Sequence, residues 1–134
     1  MLQISTKPLK RAVLVIFNKI NLNILPFFDI EEKNAIQQRL NDGVQIIPYS
    51  KQQKTYFLFP LEIDLTAKPD NIHEKLRVQG NSIYKMCKEY KESEISLEVL
   101  GDFDKEYIAS ILSGINLSDY EFLKYRTKPK GYSL

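Results

Sequence analysis

The sequence predicts an α/β fold: a three-layer sandwich in which a mixed sheet carries helices on both faces. Three observations carry that expectation. Ala12–Phe17 is apolar and β-branched-rich on both faces, as suits a central strand covered above and below. Val44–Tyr49 and Thr55–Leu61 are strand-like runs joined only by the polar Ser50–Lys54, a connection short enough to imply an antiparallel hairpin. Thr55–Leu61 and Glu94–Leu100 are separated by a helical stretch, so they are joined by a right-handed crossover as parallel strands. A hairpin and a parallel crossover together make the sheet mixed.

Taken in order, Leu2, Ile4 and Thr6 alternate as a short strand with one wet face, and Pro8 interrupts it. Ala12–Phe17 follows. Asn18–Phe28, rich in Asn and containing Pro26, reads as a loop. Asp29 is placed to N-cap a helix whose first turn holds Glu31 and Glu32, at the positive end of the helix dipole. Ile36 and Leu40 share one face, and Gly43 ends the helix. After the hairpin, Pro69 and Asp70 open a helix with the stripe Ile72, Leu76, Gln79/Gly80, Ile83, Cys87 and Tyr90, in steps of three and four. Ile95, Leu97 and Val99 alternate with Ser96 and Glu98 in the last strand. Asp102 or Asp104 caps the final helix, whose buried side is Ile108, Ile111, Leu112 and Ile115.

The chain has 134 residues, enough for a single domain that needs no staple. Apolar residues at 43% and charged residues at 27% are those of an ordinary globular protein. One cysteine, Cys87, excludes an internal disulfide and fits a reducing, cytoplasmic compartment. No signal peptide is evident, and the apolar run Ala12–Phe17 is far too short to cross a bilayer. The net charge of +2 is uneven: Lys124, Arg126, Lys128 and Lys130 supply +4, leaving −2 for the rest, so the body is no basic nucleic-acid platform.

Candidates for chemistry are sparse. His73 is the only histidine, and Asp70 stands close enough in sequence to form an acid–base pair with it. The simpler reading is a solvated helix-face histidine. One Cys and one His do not make a zinc pattern. Asp102, Asp104 and Glu106 cluster, but acids at a helix start are expected for capping alone. No glycine belongs to a phosphate-binding motif. Cys87, on the helix stripe, is expected buried and inert. Gly80 lies inside a helix, where glycine costs about 1 kcal/mol against alanine. Close approach of that helix to the sheet would offset the loss, and Gly114 invites the same reading. The tail mixes cations with Tyr125, as single-strand binders do, although a solvated connector explains it more simply.

Two motifs carry a family resemblance. Leu76-Arg77-Val78-Gln79-Gly80 at a helix resembles the Leu-Arg-x-x-Gly of the leucyl aminopeptidase (cytosol aminopeptidase) family. Gly114, near the end of an apolar helical run, precedes Tyr120, Phe122, Tyr125, Arg126, Thr127 and Lys128. That order resembles the Tyr-x-Phe-x-x-Tyr-Lys-Thr-Lys closing the family's N-terminal domain, with Arg126 in place of lysine. The order of elements agrees along nearly the whole chain, though the first seventy residues match in pattern only. Where the family shows Gly-Leu-Gly after a strand, this chain has Phe59-Pro60-Leu61-Glu62, so that loop must differ.

The resemblance implies a macro-domain-like N-terminal domain at residues 1–123, and a basic connector at 124–134 leading towards a C-terminal peptidase domain absent from this chain. It implies no catalytic, cofactor-binding or metal-binding residue here, because the family's two divalent metals and its Asn-Thr-Asp-Ala-Glu-Gly-Arg-Leu hallmark belong to the other domain. It implies assembly or scaffolding, with a homo-hexamer in the parent enzyme and, in some bacterial members, DNA binding. The competing expectations are a macro-like module for an ADP-ribose-type ligand, a nucleic-acid accessory domain acting through the tail, and a small enzyme using His73 or the Asp102/Asp104 pair.

Overall fold

The computed structural model describes residues 2–5, 11–18, 28–92 and 94–127. Thr6, Pro8, Pro26, Lys128 and Lys130 lie outside the described residues, as does most of the expected loop between Asn18 and Phe28. The described residues fall into two compact units. One is made of 3–5, 11–18, 28–64 and 94–102; the other of 2, 65–92 and 103–127.

The first unit holds β1 (Gln3–Ser5), β2 (Ala12–Asn18), α1 (Ile30–Asn41), β3 (Ile47–Lys51), β4 (Lys54–Leu61) and β5 (Glu94–Leu100). Its sheet has the order β1-β5-β2-β4-β3. β2 runs parallel to both neighbours, with Leu14 opposite Phe57 on one side and Leu97 on the other. β1 is parallel to β5, and β3 is antiparallel to β4. The sheet is therefore mixed, as expected. β2 is its middle strand, and Ala12–Phe17 are all buried, which explains why that run is apolar on both faces.

Period two puts Val13, Val15 and Phe17 on one face. Tyr56 and Leu58 of β4 and Ile47 of β3 join them in one cluster with Phe28 and with Ile36 and Leu40 of α1. The step of four between Ile36 and Leu40 gives α1 its covering stripe. Each fully buried aliphatic or aromatic side chain contributes about 1.5–3 kcal/mol.

Asp29 caps α1 as expected, and the cap is reciprocal. Its carboxylate accepts from the Glu32 amide at 2.8 Å, while the Glu32 carboxylate accepts from the Asp29 amide at 2.9 Å. The same Glu32 oxygen accepts from Lys51 Nζ at 2.7 Å. Lys51 above all, then the Asp29 amide, hold the Glu32 carboxyl below its ordinary range. Phe28 meets Tyr49 and Tyr56 edge-on, at 5.2 and 5.3 Å between centroids. Hairpin and helix start are thus clasped by one ion pair and one aromatic cluster. At the other end Gly43, at φ 84°, donates to the Leu40 carbonyl and Val44 donates to that of Arg39. That is a Schellman closure, and the left-handed glycine makes it.

The hairpin differs from expectation. β3 begins at Ile47 rather than Val44, and its turn is two residues, not the five of Ser50–Lys54. Gln52 and Gln53 both adopt left-handed backbone, φ 50° and 66°. A two-residue turn with both φ positive suits the right-handed twist of the strands, but it favours Asn-Gly. Glutamine resists this region by about 1 kcal/mol per residue. Gln52→Asn/Gln53→Gly is therefore expected to stabilise the protein by about 1–2 kcal/mol. The check is urea unfolding followed by circular dichroism; an unchanged midpoint would show that the turn stores no strain.

The second unit holds α2 (Pro69–Glu89) and α3 (Lys105–Thr127). Pro69 opens α2 at a position where its missing N–H is harmless. Ile72, Leu76, Gly80, Ile83, Tyr84 and Cys87 are buried, but Tyr90 is exposed and caps the helix, so the stripe ends at Cys87. Asp104 precedes α3, its carbonyl accepting from Tyr107. Ile111 and Ile115 are fully buried; Ile108 and Leu112 are half-buried. α3 continues through Thr127. Gly114 thus lies in mid-helix, not near its end, and residues 124–127 of the expected connector are helical.

Candidate functional site

The motif residues that the structure brings together sit where α2 and α3 pack. His73 meets Ser110 and Asn81 meets Ser118, each pair separated by 37 residues in sequence. Arg77 faces Gly114 at the same offset. A constant offset means that the helices run parallel. The i, i+4, i+8 positions of α2 (73, 77, 81) face those of α3 (110, 114, 118), since residues four apart share a helix face.

At the middle of this ladder the backbones nearly touch. A Cβ added at Gly114 would overlap the Arg77 carbonyl oxygen and lie 2.8 Å from the Arg77 carbonyl carbon. One added at Gly80 would overlap the Ile111 carbonyl oxygen and lie 3.0 Å from the Ile115 nitrogen. The sequence expectation that Gly80 admits a close neighbour holds, but that neighbour is α3 and not the sheet. Helix packing, then, explains both mid-helix glycines.

Polar bonds flank the glycines. The ring nitrogen Nδ1 of His73 lies 2.5 Å from Ser110 Oγ, and the imidazole tilts against Tyr107. Ser110 is buried, and its hydroxyl donates to the Glu106 carbonyl at 3.1 Å. Ser110 Oγ thus bridges the imidazole and the backbone of its own helix, and the contact clasps α2 to α3. His73 is half-buried and bonded to α3, so it is neither the expected solvated residue nor the partner of Asp70. Ser118 Oγ donates to Asn81 Oδ1 at 2.8 Å and lies equally close to the Gly114 carbonyl oxygen.

A second buried polar group lies further along. Asp119 accepts from the Leu2 amide through both oxygens, at 3.2 and 3.1 Å, and so fastens the start of the chain to α3. Burial, then the negative charge of Asp119, push the Tyr84 hydroxyl up to about 12. Burial, then the charge of Glu92, push the Cys87 thiol up to about 12 as well. Such a thiol is inert.

On its open side the crossing leaves a groove of about 300 Å³. Gly114 lies in it, Glu74 and Arg77 stand at one end, Asn81 and Ser118 at the other, and Val78 and Leu117 form its lips. Arg77 donates to Glu74 Oε2 through Nη2 at 2.8 Å and Nε at 3.2 Å.

Of the motif residues, Leu76, Arg77, Gly80 and Gly114 belong to this packed region. Tyr120, Phe122, Tyr125, Arg126 and Thr127 lie on the last turns of α3, and Lys128 falls outside the described residues. Asp102 stands before α3, and among the described residues no three His, Cys, Asp or Glu side chains come together as a metal site. None of the described helices is long and apolar enough to cross a membrane. The sequence reading missed Ser110, Ser118 and Asn81. The spacing Ser110-x-x-x-Gly114-x-x-x-Ser118 was the available signal. Nothing local marked Asp119. Comparison of the chain with protein-family models, with curated proteins and with solved structures finds no match.

Proposed function

We propose that this chain is a non-catalytic domain of the leucyl-aminopeptidase type, macro-domain-like with helices on both sheet faces. Its role is oligomer assembly, or scaffolding of a metallopeptidase domain that the chain itself does not contain. The supporting observation is the meeting of the two motifs: Arg77 and Gly80 from the first and Gly114 before the second touch at one helix crossing. Residues spent on holding two backbones together are folding determinants, so the motifs that carry the resemblance ask for no chemistry. The mixed sheet with a parallel centre agrees with the same reading.

The purified chain, given leucyl-p-nitroanilide with manganese or zinc, is expected to release no nitroaniline. In sedimentation it is expected to associate as concentration rises, and the gene beyond codon 134 is expected to encode the two-metal hallmark. Each arm can fail separately. Turnover by the purified chain would overturn the non-catalytic reading, and a concentration-independent monomer would overturn assembly. A downstream frame without the hallmark would overturn the family assignment.

A further inference from the structure

The groove along α2 and α3 has the makings of a ligand site that the assembly reading does not use. It follows the seam of the two helices beside Gly114, where the Arg77 carbonyl occupies the place a side chain would take. Val78 and Leu117, the two apolar lips, are each 56% exposed. A volume of about 300 Å³ equals roughly ten waters at their liquid volume, enough for a ligand of about ten heavy atoms.

The lining has a direction. One end carries both charges, Glu74 and Arg77, paired with each other and with side chains 65% and 41% exposed. An exposed pair of this kind is held weakly and opens readily. At the other end the Ser118 hydroxyl donates to Asn81 Oδ1, an uncharged pair. Between the ends lie the aliphatic lips.

We propose that this groove binds a small zwitterion with an aliphatic body, of the free α-amino acid class. The ligand carboxylate takes the forked N–H donors of Arg77, a geometry in which guanidinium and carboxylate match. Its ammonium donates to Glu74, replacing one intrahelical ion pair by two intermolecular ones. The branched chain lies between Val78 and Leu117, over Gly114. A simple anion would leave Glu74 unpaired beside it, and a simple cation would do the same to Arg77. The site therefore selects for both charges on one molecule.

The test is a ¹⁵N–¹H titration of the intact chain with L-leucine. Saturable shifts confined to the amides of 74–81 and 114–118 are expected. 4-Methylpentanoate, isoamylamine and glycine, lacking one charge or the aliphatic body, are each expected to bind about tenfold more weakly or not at all. Glu74→Gln and Arg77→Ala are expected to abolish saturation while the rest of the spectrum stays unchanged. Absence of saturable shifts would overturn the proposal, as would equal binding of 4-methylpentanoate. Shifts of the same amides on raising protein concentration alone would overturn it too, because a second copy of the chain would then be the occupant. None of these outcomes touches the peptidase-family assignment, which is decided by the downstream frame.

Discussion

Gly80→Ala and Gly114→Ala are each expected to destabilise the protein by about 2–4 kcal/mol, despite the better helix propensity of alanine. On an isolated helix either change would be favourable by about 1 kcal/mol. Here the new methyl meets backbone, and backbone cannot rotate out of the way. At Gly80 it would overlap the Ile111 carbonyl oxygen and lie 3.1 Å from the Gly114 Cα; at Gly114 it would lie 2.9 Å from the Arg77 Cα. Ordinary carbon contacts begin near 3.5 Å, so the helices must separate by about 1 Å or more. Separation stretches the His73–Ser110 and Asn81–Ser118 bonds and loosens Ile111 and Ile115, both fully buried. Overpacking of this kind costs about 1–3 kcal/mol, and the strained or broken clasps add to it. Thermal melts followed by circular dichroism should fall by roughly 10 °C for a chain of this length. The double variant should cost less than the sum of the singles, because the first methyl already moves the helices that the second would push. Gly43→Ala is the control. Nothing lies within 4 Å of its missing Cβ, and only its φ of 84° opposes a side chain, so about 1 kcal/mol is expected there. A Gly80→Ala variant as stable as the parent would refute the close helix approach on which the proposed function rests.

The glycines also show how far the sequence could be read. A mid-helix Gly announces that something comes near, because its penalty must be offset, but it does not name the neighbour. Gly80 was therefore legible as a contact and illegible as a contact with α3. Period-two patterning has the same limit: it assigned Ala12–Phe17 to a doubly covered strand, yet the order β1-β5-β2-β4-β3 depends on which strands pair. Local chemistry was read correctly where it is self-contained, as in the Asp29 cap and the Gly43 closure. It misled where the chain violates its own preferences: Gln52-Gln53 carries no turn signature, so a two-residue hairpin looked like a longer loop. The His73–Ser110 pair spans 37 residues, and neither side chain advertises the other. The groove was invisible for the same reason, since its lining comes from two helices separated by a whole strand.

Alkaline pH is expected to unfold this protein well before its lysines and arginines are neutralised as a group. Cys87 and Tyr84 are both buried on α2 and neutral in the native state. Their ordinary values are 9.0 and 10.0, and burial first, then nearby acidic charge, pushes each up to about 12. The sign follows from linkage. A raised native value means that the unfolded chain loses its proton first, so stability is complete below pH 9 and falls as pH climbs from there towards 12. One group titrating only in the unfolded state removes about 1.4 kcal/mol per pH unit. The slope is set by Cys87 between pH 9 and 10 and steepens above 10, where Tyr84 joins it together with Tyr49, also raised by burial. The whole window amounts to several kcal/mol, comparable with the total stability of a domain this size. Urea midpoints measured at intervals from pH 8 to 11 should trace this two-slope decline. Cys87→Ala should erase the first slope at the expense of a small, pH-independent loss for the missing sulfur. Tyr84→Phe should reduce the added slope above pH 10, leaving the part that belongs to Tyr49, and leave the first slope intact. The variants also separate these two groups from Lys51, whose pairing with Glu32 weakens at high pH in every variant alike. Identical pH profiles for the parent and Cys87→Ala would mean that the thiol is accessible in the native state, and the buried stripe Ile72–Cys87 would then be misassigned.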